Sequence, residues 1–273
     1  MLSIFLENYC HLRLYGTPDN YFFRLVKFKS IRNNGFDDVP NNVHDEVSKN
    51  EHDNKSSDEK FSQSISRARS KIFEYASCNE WEFFFTGTID KEKYCRTDLK
   101  SFYKDFRKWI NNQSVKYGHK INFLFIPELH SDLESWHIHG LISGISDVEL
   151  HQFVIGDEMG KGIADKVLKG DIIYNWIGYQ KKFGFCSLSP VKNPVAVSKY
   201  ITKYITKDLS RSVSDYGEHI YYHSRGLNTS QLIKKGYIDV DFVPDFSNDY
   251  LMIKDIPFNE ENLKFFTNHI KKA

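Results

Sequence analysis

The sequence predicts an α+β fold in which a central antiparallel sheet carries a His-x-His pair and is flanked by helices. Three observations predict it: segments with helical apolar spacing, apolar runs of strand length between them, and the order helix, strand, helix, two strands, helix, helix. With 273 residues, 40% of them apolar and 15% aromatic, the chain can bury a sizeable core without staples. Its four cysteines, Cys10, Cys78, Cys95 and Cys186, form no C-x-x-C pair, which fits a reducing cytoplasm and suggests neither a disulfide framework nor a cysteine zinc site.

Taken in order, Tyr9 to Tyr15 and Tyr21 to Phe28 are apolar-rich runs flanking a turn at Gly16 to Asn20, the pattern of a β-hairpin. Gly35 to Ser62 is rich in Asn, Asp, Ser, Glu and Lys, and it cannot bury enough surface to offset its ordering entropy, so a flexible linker is expected. Between Asp37 and Lys60 lie eight acids and three lysines, so the rest of the chain carries +6 although the total is +1. That mildly basic remainder permits a DNA partner.

Ile65, Ala68, Ile72, Phe73 and Ala76 recur at helical spacing, and Trp81 to Thr88 then forms a strand-like apolar run. A helix is expected from about Asp98, with Leu99, Phe102, Phe106, Trp109 and Ile110 on its apolar stripe. Strands at Ile121 to Glu128 and His137 to Ser143 follow, joined by a polar turn. A short helix is expected at Asp147 to Phe153, then a less regular region to about Pro190. Pro194, favourable in a first turn, opens a helix through Lys207. No stretch is long and apolar enough to span a membrane, and the N-terminus has neither a basic start nor a long apolar run, so a soluble, unexported protein is expected.

Two clusters carry chemistry. His137 and His139 sit two apart on an expected strand, so both rings leave the same face, and antiparallel pairing through the preceding turn, Leu129 to Trp136, would bring Glu128 beside them. Two imidazoles and a carboxylate with open positions suit a divalent ion that polarises a phosphoryl oxygen. Two half-buried rings on one sheet face would give the same H-x-H pattern. His219 and His223, with three residues between them, form a second metal candidate or a pair of surface histidines.

The other cluster is the unit Y-I-T-K, which occurs twice in succession over Tyr200 to Lys207. A spacing of four puts Tyr200 and Tyr204 on one helix face and Lys203 and Lys207 on an adjoining one. A phenol ionises near pKa 10, so it is a useful nucleophile at neutral pH only beside a metal or cationic groups such as Lys203 and Lys207. An amphipathic helix packing its tyrosines against the sheet is the plainer reading, with Ile201 and Ile205 the better core residues.

Taken together, Phe85-Thr86-Gly87-Thr88, Pro127-Glu128-Leu129-His130, His137-Ile138-His139-Gly140 and Tyr-x-x-Lys-Tyr-x-x-Lys resemble the ordered motifs of rolling-circle replication initiators of the HUH endonuclease superfamily. The likeness spans roughly Ile65 to Leu227 and is greatest to initiators of single-stranded DNA phages and small bacterial plasmids. It implies an RRM- or palm-like catalytic domain at 63–227, and the hairpin extension at 1–34, the acidic linker at 35–62 and a C-terminal extension at 228–273 lie outside it. It also implies that Glu128, His137 and His139 hold Mg or Mn. Tyrosine would attack the scissile phosphate, remain joined to the 5′ end, and leave a 3′-OH primer before the strand is rejoined. Tyr204 ranks first because Tyr204 to Asp208 matches a Y-x-x-K-D pattern, and Tyr200 ranks second.

Tyrosines that follow the histidines exclude the relaxase arrangement and leave a transposase as an alternative. A metal-dependent nuclease using water, or a silent origin-binding protein of the same fold, are the other rivals. Single-stranded or origin DNA, a host helicase and a host polymerase are the expected partners in a bacterial cytoplasm, since no G-x-x-x-x-G-K-[ST] loop is present. Arg107, Lys108, Lys181, Lys182, Lys192, Lys199, Arg211 and Arg225 are candidates for gripping DNA, or ordinary solvated charges. Trp136, Tyr179 and Phe183 are candidates for base stacking or for the core.

Overall fold

A computed structural model describes residues 8–29, 57–129, 135–204 and 219–272, with residues 57–63 described by backbone alone. Strands β1 (Tyr9–Tyr15) and β2 (Phe22–Phe28) form the hairpin. Then come α1 (Ser57–Ser77), β3 (Phe83–Thr88), α2 (Leu99–Tyr117), β4 (Asn122–Leu129) and β5 (Trp136–Ser143). They are followed by β6 (Leu150–Gln152), α3 (Lys161–Leu168), β7 (Tyr174–Trp176), α4 (Ile177–Lys182), β8 (Cys186–Pro190) and α5 (Pro194–Ile201). The C-terminal part adds β9 (Tyr222–His223), β10 (Gln231–Ile238), β11 (Phe246–Ser247), β12 (Leu251–Pro257), α6 (Glu260–His269) and β13 (Ile270–Lys271). The chain divides into two compact units, one of residues 57–228 and one combining 1–56 with 229–273.

The combined unit contains an antiparallel sheet of order β11-β12-β2-β1-β10-β13. Cys10, Leu12, Phe23 and Leu25 pack there with Ile238, Ile256, Phe266 and Ile270. Arg24 forms a two-pronged pair with Asp255 at 2.7 and 2.8 Å, joining β2 to β12. The hairpin and the tail are therefore one sheet, assembled from segments about as far apart in sequence as the chain permits.

Unit 57–228 is an antiparallel sheet of order β6-β7-β8-β3-β5-β4-β9 with helices on both faces. On one face α2 inserts Phe102 and Phe106 and α4 inserts Tyr179, against Phe85, Phe123 and Phe125. α2 begins at Asp98, whose carboxylate accepts from the Ser101 amide at 2.9 Å, and ends at Gly118 in the left-handed region with φ 73°. On the opposite face α1 buries Ile65, Ala68, Ile72 and Ala76 beside β4 and α5.

Gly140 lies in register between Phe85 on β3 and Phe125 on β4. With no side chain between them, the two rings lean over the strand and stack at 4.8 Å. A Cβ at Gly140 would run into the Leu124 carbonyl oxygen and the Phe125 ring, and the backbone atom cannot turn aside. Gly140→Ala should therefore cost about 2–3 kcal/mol. A thermal melt should show the midpoint of this unit falling by roughly 5–10 °C, and an unchanged midpoint would refute the packing argument.

Several expectations need correction. Asp147 to Phe153 is not a helix: a 3-10 turn at Asp147–Glu149 leads into β6, which pairs with β7 through Leu150 and Trp176. The region before Pro190 is regular, containing α3, β7, α4 and β8. α1 starts at Ser57, inside the segment expected to be linker, while the linker's remaining residues lie outside the described ones. The α-helical part of the tyrosine segment ends at Ile201 and tightens to a 3-10 turn over Thr202–Tyr204.

Candidate active site

The site stands on three neighbouring strands. Register sets Thr86 opposite His139 opposite Ile126, and Thr88 opposite His137 opposite Glu128. Directly paired residues of an antiparallel sheet point to the same side, so Thr86, Thr88, Glu128, His137 and His139 share one face. Phe85, Ile138, Gly140 and Phe125 turn to the other.

The His139 side chain is only 12% exposed, with Nε2 2.6 Å from Glu128 Oε2 and Nδ1 3.2 Å from Thr86 Oγ1. Burial pushes its imidazolium down to about 4, so the ring is neutral near neutral pH. The Glu128 charge opposes this shift, but that carboxylate is 47% exposed and screened by water, so desolvation prevails. The tautomer that satisfies both contacts donates Nε2–H to Glu128 and accepts at Nδ1 from the Thr86 hydroxyl.

α5 brings the tyrosines to this face. Asn193 caps it by accepting from the Ala196 amide at 2.9 Å, and Pro194 occupies the first turn. Tyr204 stacks flat on His139, with centroids 4.4 Å apart and planes at 17°. Tyr200 is 44% exposed, and its hydroxyl lies 3.0 Å from that of Tyr204. Phe84 supports both rings, edge-on to Tyr200 at 5.5 Å and tilted to Tyr204 at 6.1 Å. Lys203 holds its ammonium 5.4 Å from the Tyr200 ring centre. Burial raises the Tyr204 phenol above its ordinary value, with the Tyr200 hydrogen bond and the nearby Tyr200 and Glu128 charges adding to the rise. An attack by Tyr204 therefore requires positive charge nearby.

Glu128, His139, Tyr204 and Tyr200 thus form a connected chain of contacts, with His137 alongside by register and Lys203 against Tyr200. Lys207 and Arg211 lie outside the described residues. Arg107 and Lys108 sit on α2, and Lys181 and Lys182 on α4, the helices that cover the opposite face of the sheet. Arg225 follows β9 and offers its carbonyl to Lys120 at 2.7 Å. Lys192 precedes α5 and Lys199 lies in its last turn, both lining a groove with Tyr200. Trp136, Tyr179 and Phe183 are buried core residues, the second of the two roles the sequence left open for them. His223 packs on Tyr75 at 4.7 Å and His219 lies edge-on to Tyr222 at 5.7 Å, both within aromatic packing.

Phe84 and Thr86 are the residues whose part sequence reasoning missed. Thr86 lies inside a quoted motif, and period-two alternation along β3 places it with Phe84, but only the β3–β5 pairing shows which face that is.

Two imidazoles and a carboxylate on one face fit a divalent ion as a donor set. Glu128 and His139 are in direct contact, and among the described residues no group of three or more His, Cys, Asp or Glu side chains is arranged around an ion position. An ion would have to take the place of the Nε2 proton between them. No helix among the described residues is long and apolar enough to cross a membrane.

Residues 82–209 match a family model for the replication-associated protein ORF2. No curated protein and no solved structure matches the chain. The matched span runs from the start of β3 past α5 and takes in Glu128, His137, His139, Tyr200, Lys203, Tyr204 and Lys207. Over that span the chain is similar to replication-associated proteins of the ORF2 type, a likeness consistent with a rolling-circle replication initiator of a small replicon.

Proposed function

We propose that this chain nicks and rejoins single-stranded origin DNA, with Tyr204 as the first nucleophile. The observation that carries this reading is the stack of Tyr204 on His139, which itself touches Glu128. It places a phenol beside the face where two histidines and a carboxylate gather. Glu128, His137 and His139 would hold a divalent ion, whose chemistry there is to draw charge from the phosphoryl oxygens. Two imidazole donors favour Mn over Mg, which prefers an all-oxygen shell.

Tyr204 Oη forms the new bond to phosphorus, and the bond from phosphorus to the 3′ oxygen breaks. The phenol's proton passes to solvent, with the Tyr200 hydroxyl 3.0 Å away able to relay it by giving up its own, and the departing 3′ oxygen gains a proton from solvent. The phosphotyrosine keeps the energy of the broken linkage, so rejoining is the same step reversed and needs no ATP. Lys203 holds its charge beside the Tyr200 ring and would oppose the negative charge gathering on the phosphate.

The test is to incubate the full chain with labelled single-stranded origin DNA and Mn, then separate the products on a denaturing gel. A metal-dependent band of DNA bound to protein is expected. Free 5′-phosphate ends without such a band would indicate a hydrolase using water, and DNA binding without cleavage would indicate a silent origin-binding protein.

Thr86 should act through His139. When a cation occupies Nε2, Nδ1 must carry the proton, and the Thr86 hydroxyl can accept it. Thr86→Val keeps the shape and removes the acceptor, so Mn affinity measured by titration calorimetry should fall about 10- to 100-fold. Thr86→Ser should restore most of it. Equal affinity in Thr86→Val and the unaltered chain would remove Thr86 from the account.

A further inference from the structure

Beside the tyrosines lies a groove of about 470 Å³ between the end of β8, Phe84 of β3 and the exposed side of α5. Its apolar wall includes Phe84, Val197 and Tyr200, and Lys192, Lys199 and Lys203 stand around it. The volume is within the roughly 300–1,000 Å³ of ordinary ligand sites. No acidic side chain lines it among the described residues. The nearby acid Asp171 meets Lys192 at 3.6 Å in an exposed pair that contributes little.

An apolar, partly aromatic wall ringed by cations suits a ligand with a flat uncharged part and an anionic part. We infer that the groove takes one unpaired nucleotide of the DNA strand, its base against Phe84, Val197 and Tyr200 and its phosphates toward Lys192, Lys199 and Lys203. This assignment rests on the nicking reading, and it adds a seat that fixes where the strand lies relative to the nucleophile. Tyr200 joins the two places: its ring lines the groove and its hydroxyl meets Tyr204. A nucleotide held there would fix the scissile phosphate in register with Tyr204, so the groove would contribute to the choice of cleavage position.

The test compares binding of two fluorescein-labelled strands of about a dozen nucleotides, one oligo(dT) and one wholly abasic, in EDTA so that no strand is cut. The unaltered chain should prefer oligo(dT) by about tenfold, the size of one base–aromatic stack. Ala196→Trp, made at an exposed lining position, should fill the groove and remove that preference while leaving the abasic strand's affinity within about twofold. Lys192→Glu should weaken both strands together. An Ala196→Trp chain that still prefers oligo(dT) as strongly as the unaltered chain would overturn the inference. Should that variant fail to fold, photocrosslinking of 5-iodo-dU strands to the unaltered chain decides the matter. Crosslinks within 190–203 support the seat, and crosslinks found only elsewhere refute it. Failure of the nicking reading would show separately, as absence of a DNA–protein band in the unaltered chain with Mn.

Discussion

Tyr204→Phe is expected to lower formation of the DNA–protein adduct by at least about a thousandfold, the scale of losing a covalent nucleophile. The substitution removes one oxygen and keeps the ring, so the 4.4 Å stack on His139 and the contact with Phe84 both survive. Unchanged thermal stability would then separate a chemical loss from a structural one. Tyr200→Phe should behave differently. Its hydroxyl bond is one of the influences holding the Tyr204 phenol high, so its removal eases ionisation of Tyr204 while taking away a proton relay. Adduct formation within about tenfold of the unaltered chain is the expected result. If the two tyrosines alternate, Tyr200→Phe should still nick once and fail at the second transfer. An adduct surviving in the double variant would rule out both as nucleophiles.

His139→Ala should have the second-largest effect. It removes a nitrogen donor in contact with Glu128 and the surface on which Tyr204 stacks. Outer partners of metal ligands already account for about 10- to 100-fold in affinity, so loss of the ligand itself should cost at least about a hundredfold in Mn binding. Adduct formation should fall with it. Binding of a single strand in EDTA should change little, because that contact does not use the ion. His137→Ala should follow the same pattern with Tyr204 still stacked, and this separates the loss of a donor from the loss of a platform. Retained Mn affinity in both variants would mean that the histidines are packing residues.

The local periodicities are the legible part of the fold. The stripe from Leu99 to Ile110 marks α2, and the apolar runs mark β3, β4 and β5, because each pattern repeats within its own segment. Asp147 to Phe153 misleads because three residues of β6 have no period to detect and become a strand only by pairing with β7. The same applies to β7 itself and to the six-residue α4. The helix start at Ser57 is hidden by polarity, since its first turn, Ser57 to Lys60, has the composition of the linker before it. Nothing local could join the hairpin to the tail, whose contact through Arg13 and Ser230 spans 217 positions.

At the site, spacing alone sets His137 with His139 and Tyr200 with Tyr204. The contacts of Glu128 and Tyr204 with His139, and the parts of Phe84 and Thr86, depend on register between strands distant in sequence. The aromatics Trp136, Tyr179 and Phe183 show the limit of composition, since a ring that could stack on a base packs equally well in a core.

The central claim is the identity of the linkage, and the most direct measurement is to locate it on the protein. Lys199, Lys203 and Lys207 bracket two identical tetrapeptides, so trypsin would release the same Y-I-T-K fragment from either position. Digestion of the isolated adduct with a protease that cuts at acidic residues keeps both tyrosines on one peptide, and fragmentation by mass spectrometry can then place the phosphate. A strand joined through its 5′ phosphate to Tyr204, with Tyr200 as the secondary position, is the predicted result. A phosphate on any other residue, or cleaved DNA whose 5′ ends carry no protein, would contradict it.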